Sequence, residues 1–161
     1  MKKKILLVGP VLTQSGYGEH ARMIYRALKS REDLFEIFIN PINWGATSWV
    51  SELTDERQEL DEIINKTFDH MQKKLPFDTT VMVTIPSEWQ QYRASPKNIG
   101  VCAGIESDRV SPHWLDAANN IVDKVIVPSE FAKESFTNAV WDVKDQYGND
   151  IKLTMQKPVE V

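Results

Sequence analysis

Short continuous apolar runs recur along this chain, and most are separated by segments of helical periodicity. "KILLVG" (Lys4–Gly9), "LFEIFIN" (Leu34–Asn40), "TTVMVTIP" (Thr79–Pro86), "NIGVCAGIE" (Asn98–Glu106) and "DKVIVPS" (Asp123–Ser129) are such runs. Runs this short, apolar without alternation and bounded by turn residues, read as strands buried on both faces. Between the first two, Ala21, Ile24, Tyr25 and Leu28 fall on one helical stripe. Thr54 caps a long helix whose stripe is Leu60, Ile63, Ile64, Phe68, Met71 and Leu75. "SPHWLDAANNI" reads as a short helix with Pro112 at its start, and Ser129 caps "EFAKESFTNAV". "WDVKDQYGND" reads as a turn-rich insert and "IKLTMQKPVEV" as a last strand.

Strands alternating with helices imply βαβ units. The expected fold is therefore α/β: a doubly wound, mainly parallel, Rossmann-like sheet with helices on both faces. Residues 1–161 are enough for one domain with a real core. The expected strand order is 3-2-1-4-5 with a sixth strand outside it, and ligands gather at the carboxyl ends of the strands. Val8, Ile24, Leu28, Val83, Val101, Val125 and Phe131 are the expected core. Trp44, Trp49 and Trp89 fall in loops at or after strand ends and are expected to leave a bare aromatic surface.

Charge and motif content exclude several functions. The net charge is −4, from 19 basic and 23 acidic residues that are interspersed, so no basic field exists for nucleic acid or an anionic membrane. Cys102 is the only cysteine and lies in an apolar run, which predicts a buried structural thiol and no disulfide. "MKKKILLVGP" has a charged start, but its apolar run is too short for a signal sequence or a membrane span, so a soluble cytoplasmic protein is expected. His20, His70 and His113 are far apart, with no H-x-x-x-H, C-x-x-C or G-x-S-x-G, so neither a metal site nor a serine hydrolase is expected.

"VGPVLTQSGYGEHARMIYRAL" carries the most suggestive pattern: Gly16, Gly18 and Ala21 fit G-x-G-x-x-G/A. A dinucleotide site starts its glycines at the strand end and has an acidic residue about 20 positions on, at the ribose. Here six residues separate Gly9 from Gly16, Glu36 falls inside the second strand, and that strand ends in Asn40. NAD and FAD are disfavoured, and no Walker-type lysine follows a glycine. Two readings stay open: a flexible turn entering a helix, or a loop that lets a phosphate approach the helix N-terminus. Glu106 ends the fourth apolar run, either as a capping acid or as a carboxylate at the ligand edge of the sheet.

With these residues in view, the chain resembles the N-terminal domain of a retaining glycosyltransferase of the GT-B fold, the group-one or family-four kind. Three stretches carry the resemblance: "SGYGEHAR" with its helix, "GIESDRVSPHW", and "DKVIVPSEFAKESF", whose aspartate, apolar strand and "PSEF" are the most distinctive. "EDLFEIFINPINWG" is similar to the second strand and loop of such enzymes, and the likeness runs from Lys4 to Val161. The resemblance implies that the glycine loop faces an interdomain cleft and meets the donor phosphates or the acceptor. Gly16 and Gly18 match that loop, with Tyr17 and Glu19 beside them; Asn43, Trp44 and Asp108 fall on the acceptor side. Glu106, the candidate catalytic residue, stands at or next to a position where many relatives have a histidine near the donor sugar.

It further implies a nucleotide-diphosphate sugar as donor, transferred with retention, with no cofactor and no metal; the acceptor is a glycan, a lipid or a protein. Such enzymes have a second domain with an E-x7-E motif, which nothing after Ser129 matches. The chain is therefore expected to be half an enzyme, lacking its nucleotide-sugar domain and nearly inactive alone. Gly16, Tyr17, Gly18 and Glu106 are expected around one cleft. The alternatives are a non-catalytic Rossmann-like binding module and, further off, an NAD-dependent oxidoreductase.

Overall fold

Side-chain alternation along the first strand sets the layering of the computed structural model, which describes residues 1–161. Strand β1 (Lys3–Gly9) sends Leu6 and Val8 into one apolar cluster and Ile5 and Leu7 into another. A strand buried on both faces needs a neighbour on each side and helices above and below. The rest of the chain supplies them: α1 (Gly16–Lys29), β2 (Phe35–Pro41), α2 (Asp55–Gln72), β3 (Thr79–Val83), a 3₁₀ turn at Pro86–Glu88, α3 (Trp89–Tyr92), β4 (Lys97–Val101), α4 (Pro112–Asn120), β5 (Lys124–Ile126), α5 (Glu130–Thr137), β6 (Val140–Lys144), β7 (Asp150–Thr154) and β8 (Val159–Glu160).

The main sheet has six parallel strands in the order β2-β1-β3-β4-β5-β8. The α/β class and the parallel sheet are as the sequence predicts; the strand order is not. β3 lies against β1, and β2 is an edge strand. Two features make β2 an edge: Pro41 at its end has no N–H to donate, and Ile39 N–H donates to Thr67 Oγ1 on α2 at 2.8 Å instead of to another strand. α2 thus runs along β2 and covers the unpaired backbone that would otherwise template aggregation. Arg26–Glu56 and Lys29–Glu59 ion pairs tie α2 to α1.

The predicted last strand divides. Asp150–Thr154 pairs antiparallel with β6 as a hairpin, and Val159–Glu160 joins the sheet beside β5, so the sixth strand is inside the sheet rather than outside it. The predicted turn-rich insert is β6 plus a turn in which Gly148 takes φ +85° and the Asp145 carboxylate accepts from Tyr147 N and Asn149 N. Asn119 on α4 pins the strand exit, donating to Thr154 O and accepting from Gln156 N, both at 2.8 Å.

Helices α4 and α5 pack Leu115, Ala118, Ala132 and Phe136 into one cluster, while α1 and α2 pack Ala21, Tyr25 and Leu60 into the other. Val8, Val83, Val101 and Val125 are fully buried. Ile24 and Leu28 are half-buried against the second cluster. Phe131 is 53% exposed and is not core; Phe136 is. The buried stripe of α5 is Ala132, Ser135 and Phe136, at i, i+3 and i+4, and Phe131 lies outside it. Trp89, expected at the surface, is 0% exposed. Its indole lies on Gly100 of β4, where a Cβ would come within 2.4 Å of the ring, and its Nε1–H donates to Thr84 O.

Candidate functional site

In a parallel sheet all carboxyl ends face one way, and a crevice opens where successive connections leave in opposite directions. Here that point lies between β1 and β3. The segment leaving β1 is a tightly built turn. Thr13 N–H and Oγ1–H both donate to Pro10 O at 3.0 Å. The Ser15 hydroxyl meets Thr13 Oγ1 at 2.8 Å and accepts from Gly18 N–H at 2.9 Å as the N-cap of α1. Arg22 Nη1 donates to Val11 O and Thr13 O, and a bridge to Trp49 binds the outer side of the turn. Val11, Leu12 and Thr13 are buried, so the segment is a braced turn entering the helix rather than a loose one.

The two glycines have different reasons to be glycine. A Cβ on Gly18 would stand 2.2 Å from Thr13 O, so this position serves the turn's own packing. Gly16 has open space around it. As the first residues of α1, Gly16 and Tyr17 have amides with no intrahelical acceptor, and no other protein group accepts from them.

Helical residues two positions apart point about 200° from one another, and Tyr17 and Glu19 diverge accordingly. Tyr17 reaches inward over β3: its hydroxyl accepts from Ala103 N–H at 3.3 Å and lies 3.9 Å from Cys102 Sγ. Its ring stacks on Trp44 with centroids 4.3 Å apart. Burial raises the tyrosine pKa well above its ordinary value. Glu19 turns outward to Arg22 and Arg26 at 2.9 and 2.7 Å, which hold its carboxyl below the usual range. It belongs to the ion-pair network with α2. His20 is half-buried, and burial lowers its pKa.

Cys102 is buried as the sequence predicts, and burial pushes its thiol up to about 11. Only roughly one thiol in a thousand is then ionised at pH 8, and the thiolate is the reactive form. Iodoacetamide at pH 8 is expected to leave the native protein unlabelled and to label it fully in urea. Rapid labelling without denaturant would contradict this packing.

Glu106 does not end a strand. β4 stops at Val101, and after Cys102 N–H donates to Ile126 O the chain leaves the sheet. Glu106 is exposed, five residues further on, in the wall of an open groove of about 480 Å³. Trp114 and Ser111, at the start of α4, form the opposite wall. Gly16, Gly18 and Tyr17 do not line that groove. β1 and β4 are not adjacent, because β3 lies between them. The expected single cleft is instead two neighbouring places, joined where Tyr17 touches Ala103 and Gly104 forms the groove rim. Asn43 is exposed beside the half-buried Trp44, and Asp108 is exposed outside the groove lining. Of the three tryptophans expected to be bare, only Trp49 is, at 49%.

Sequence reasoning missed Glu88. It is half-buried on the 3₁₀ turn after β3, its carboxylate accepts no hydrogen bond, burial raises its pKa, and its charge acts on Tyr17. A signal was there: Glu88 follows Val83 by five residues, as Glu106 follows Val101. No three His, Cys, Asp or Glu side chains are grouped to hold a metal, and no helix is long and apolar enough to cross a membrane.

This geometry defines a Rossmann-like α/β domain with a crevice at the switch point between β1 and β3, edged by polar and aromatic residues. No family model, curated protein or solved structure matches the chain.

Proposed function

We propose that this chain is the acceptor-side half of a retaining glycosyltransferase that uses a nucleotide-diphosphate sugar. One observation carries the reading: two partnerless amides, Gly16 and Tyr17, open the 14-residue helix α1 at the crevice, and the first of them belongs to a glycine with open space around it. Such amides, with the positive end of the helix dipole, suit a diphosphate. They would stabilise the departing nucleotide electrostatically, with no protein nucleophile required. Tyr17 and Trp44 form an aromatic floor beside them, and Glu106 supplies a carboxylate for sugar hydroxyls in the adjoining groove. The resemblance of "SGYGEHAR" and "DKVIVPSEFAKESF" to this enzyme group supports the same reading.

Titrating the ¹⁵N-labelled chain with UDP, GDP and ADP tests it. The expected result is a shift of the Gly16 and Tyr17 amide signals. Gly16→Val should weaken binding at least tenfold with an unchanged melting temperature, because its side chain would enter open space. Silence at both amides with all three nucleotides would overturn the proposal.

A further inference from the structure

Beyond the crevice, the groove at Glu106 continues. A second hollow of about 580 Å³, walled by Ser87 and Gln90 after β3 and by Asp116 on α4, shares Ser111 and Trp114 with the first. The two adjoin at Ser111 and the half-buried Trp114, and together form a trough that runs from the segment after β4 (Gly104–Ser107) along α4 to Ile121.

Its chemistry is selective. No lysine or arginine lines either hollow; two carboxylates do, Glu106 and Asp116, against a single histidine, the exposed His113. Arg109, close in sequence, is turned away onto the Trp141 ring at 4.2 Å. A phosphorylated or otherwise anionic ligand would meet uncompensated like charge here. Ser87, Ser107, Ser111, Gln90, Glu106 and Asp116 are interspersed with the apolar lining, so an acyl chain would desolvate hydroxyls, an amide and carboxylates without replacing their hydrogen bonds. What fits is a molecule with an apolar face for the indole and neutral hydroxyls around its rim for Glu106, Ser111, Gln90 and Asp116. Pyranose rings have that arrangement. The length of the trough and its openness suit a chain of them rather than one enclosed ring.

We infer that the trough over Trp114 is a subsite for a neutral oligosaccharide, and that the acceptor of the proposed transfer is a glycan. This rests on the transferase reading, but its test is separable. The ¹⁵N-labelled chain is titrated, at millimolar concentration, with neutral oligosaccharides of the gluco, manno, galacto and N-acetylglucosamine series. Parallel arms use inorganic phosphate, tetralysine and phosphatidylcholine vesicles. At least one oligosaccharide series is expected to shift the Trp114 indole and the Gly104–Ser107 amides.

Trp114→Ala should weaken that binding at least tenfold, read at Gly104–Ser107, and Trp114→Phe should restore most of it, which separates a stacking role from a folding defect. Glu106→Gln, at an exposed side chain, should weaken it severalfold. Silence of the trough with every oligosaccharide, equal binding by Trp114→Ala, or a response to phosphate, tetralysine or vesicles in their place would overturn the inference. Nucleotide shifts at Gly16 and Tyr17 beside a silent trough overturn this inference alone; silence at both places overturns the transferase reading as well.

Discussion

Trp89→Ala is expected to cost about 3–5 kcal/mol of folding stability, the range for removing a large, fully buried aromatic side chain. At this chain length that lowers the melting temperature by roughly 6–20 °C. Trp89 is the largest side chain that is wholly out of solvent, and it joins the turn after β3 to the face of β4. Its fit depends on Gly100, where even a methyl group would come within 2.4–2.7 Å of the indole. Gly100→Ala should therefore destabilise by about 1–3 kcal/mol, the cost of overpacking a filled core. If the clash is the cause, the double variant should lose less than the sum of the two, because alanine at 89 removes the ring that alanine at 100 would strike. Urea denaturation of the four proteins measures the cycle. Strict additivity, or a Gly100→Ala protein of wild-type stability, would show that the ring does not rest where described.

The second large effect separates two glycines that look alike in the pattern Gly-Tyr-Gly. Gly18→Ala is expected to lose at least about 1–3 kcal/mol, because the new Cβ would meet the Thr13 backbone oxygen at 2.2 Å and Thr13 Oγ1 at 2.7 Å. Backbone on the far side of a cross-braced turn cannot yield cheaply: Arg22, Ser15 and the Trp49 bridge all hold it. Gly16→Ala, into open space, should leave stability within about 0.5 kcal/mol of wild type. Hydrogen exchange at the amides of residues 11–15 should accelerate in the Gly18 variant and stay unchanged in the other. Equal effects of the two substitutions would refute the division of labour between packing and ligand access.

Much of the architecture was legible because it rests on local periodicity. Apolar runs marked β1 to β5; stripes marked α1 and α2, and Thr54, Pro112 and Ser129 marked the starts of α2, α4 and α5, while the structure adds Ser15 and Ser111 as caps of α1 and α4. Phe131 departs from the expected core because, although large, apolar and next to a cap, it lies off the helical stripe of Ala132 and Phe136. Trp89 departs from the expected surface because Gly100, distant in sequence, makes a slot for its ring. The site was legible in its types more than in its arrangement. Gly16, Tyr17, Trp44 and Glu106 lie at the carboxyl edge, but Glu19 turns to Arg22 and Arg26, and Gly18 is packed against its own turn.

The sequence by itself determined the class of fold, the identity of the first five strand runs and the burial of Cys102, since each depends on spacing within one short segment. Tertiary structure alone decided the strand order, because which neighbour β1 takes depends on α2 covering the free edge of β2 more than 20 residues away. It also placed β3, and with it Glu88, between the glycine turn and Glu106, which made two adjoining places of one expected cleft. Contacts across such separations leave no periodic trace in the chain. They are settled only when whole faces must be buried and every edge N–H must find an acceptor.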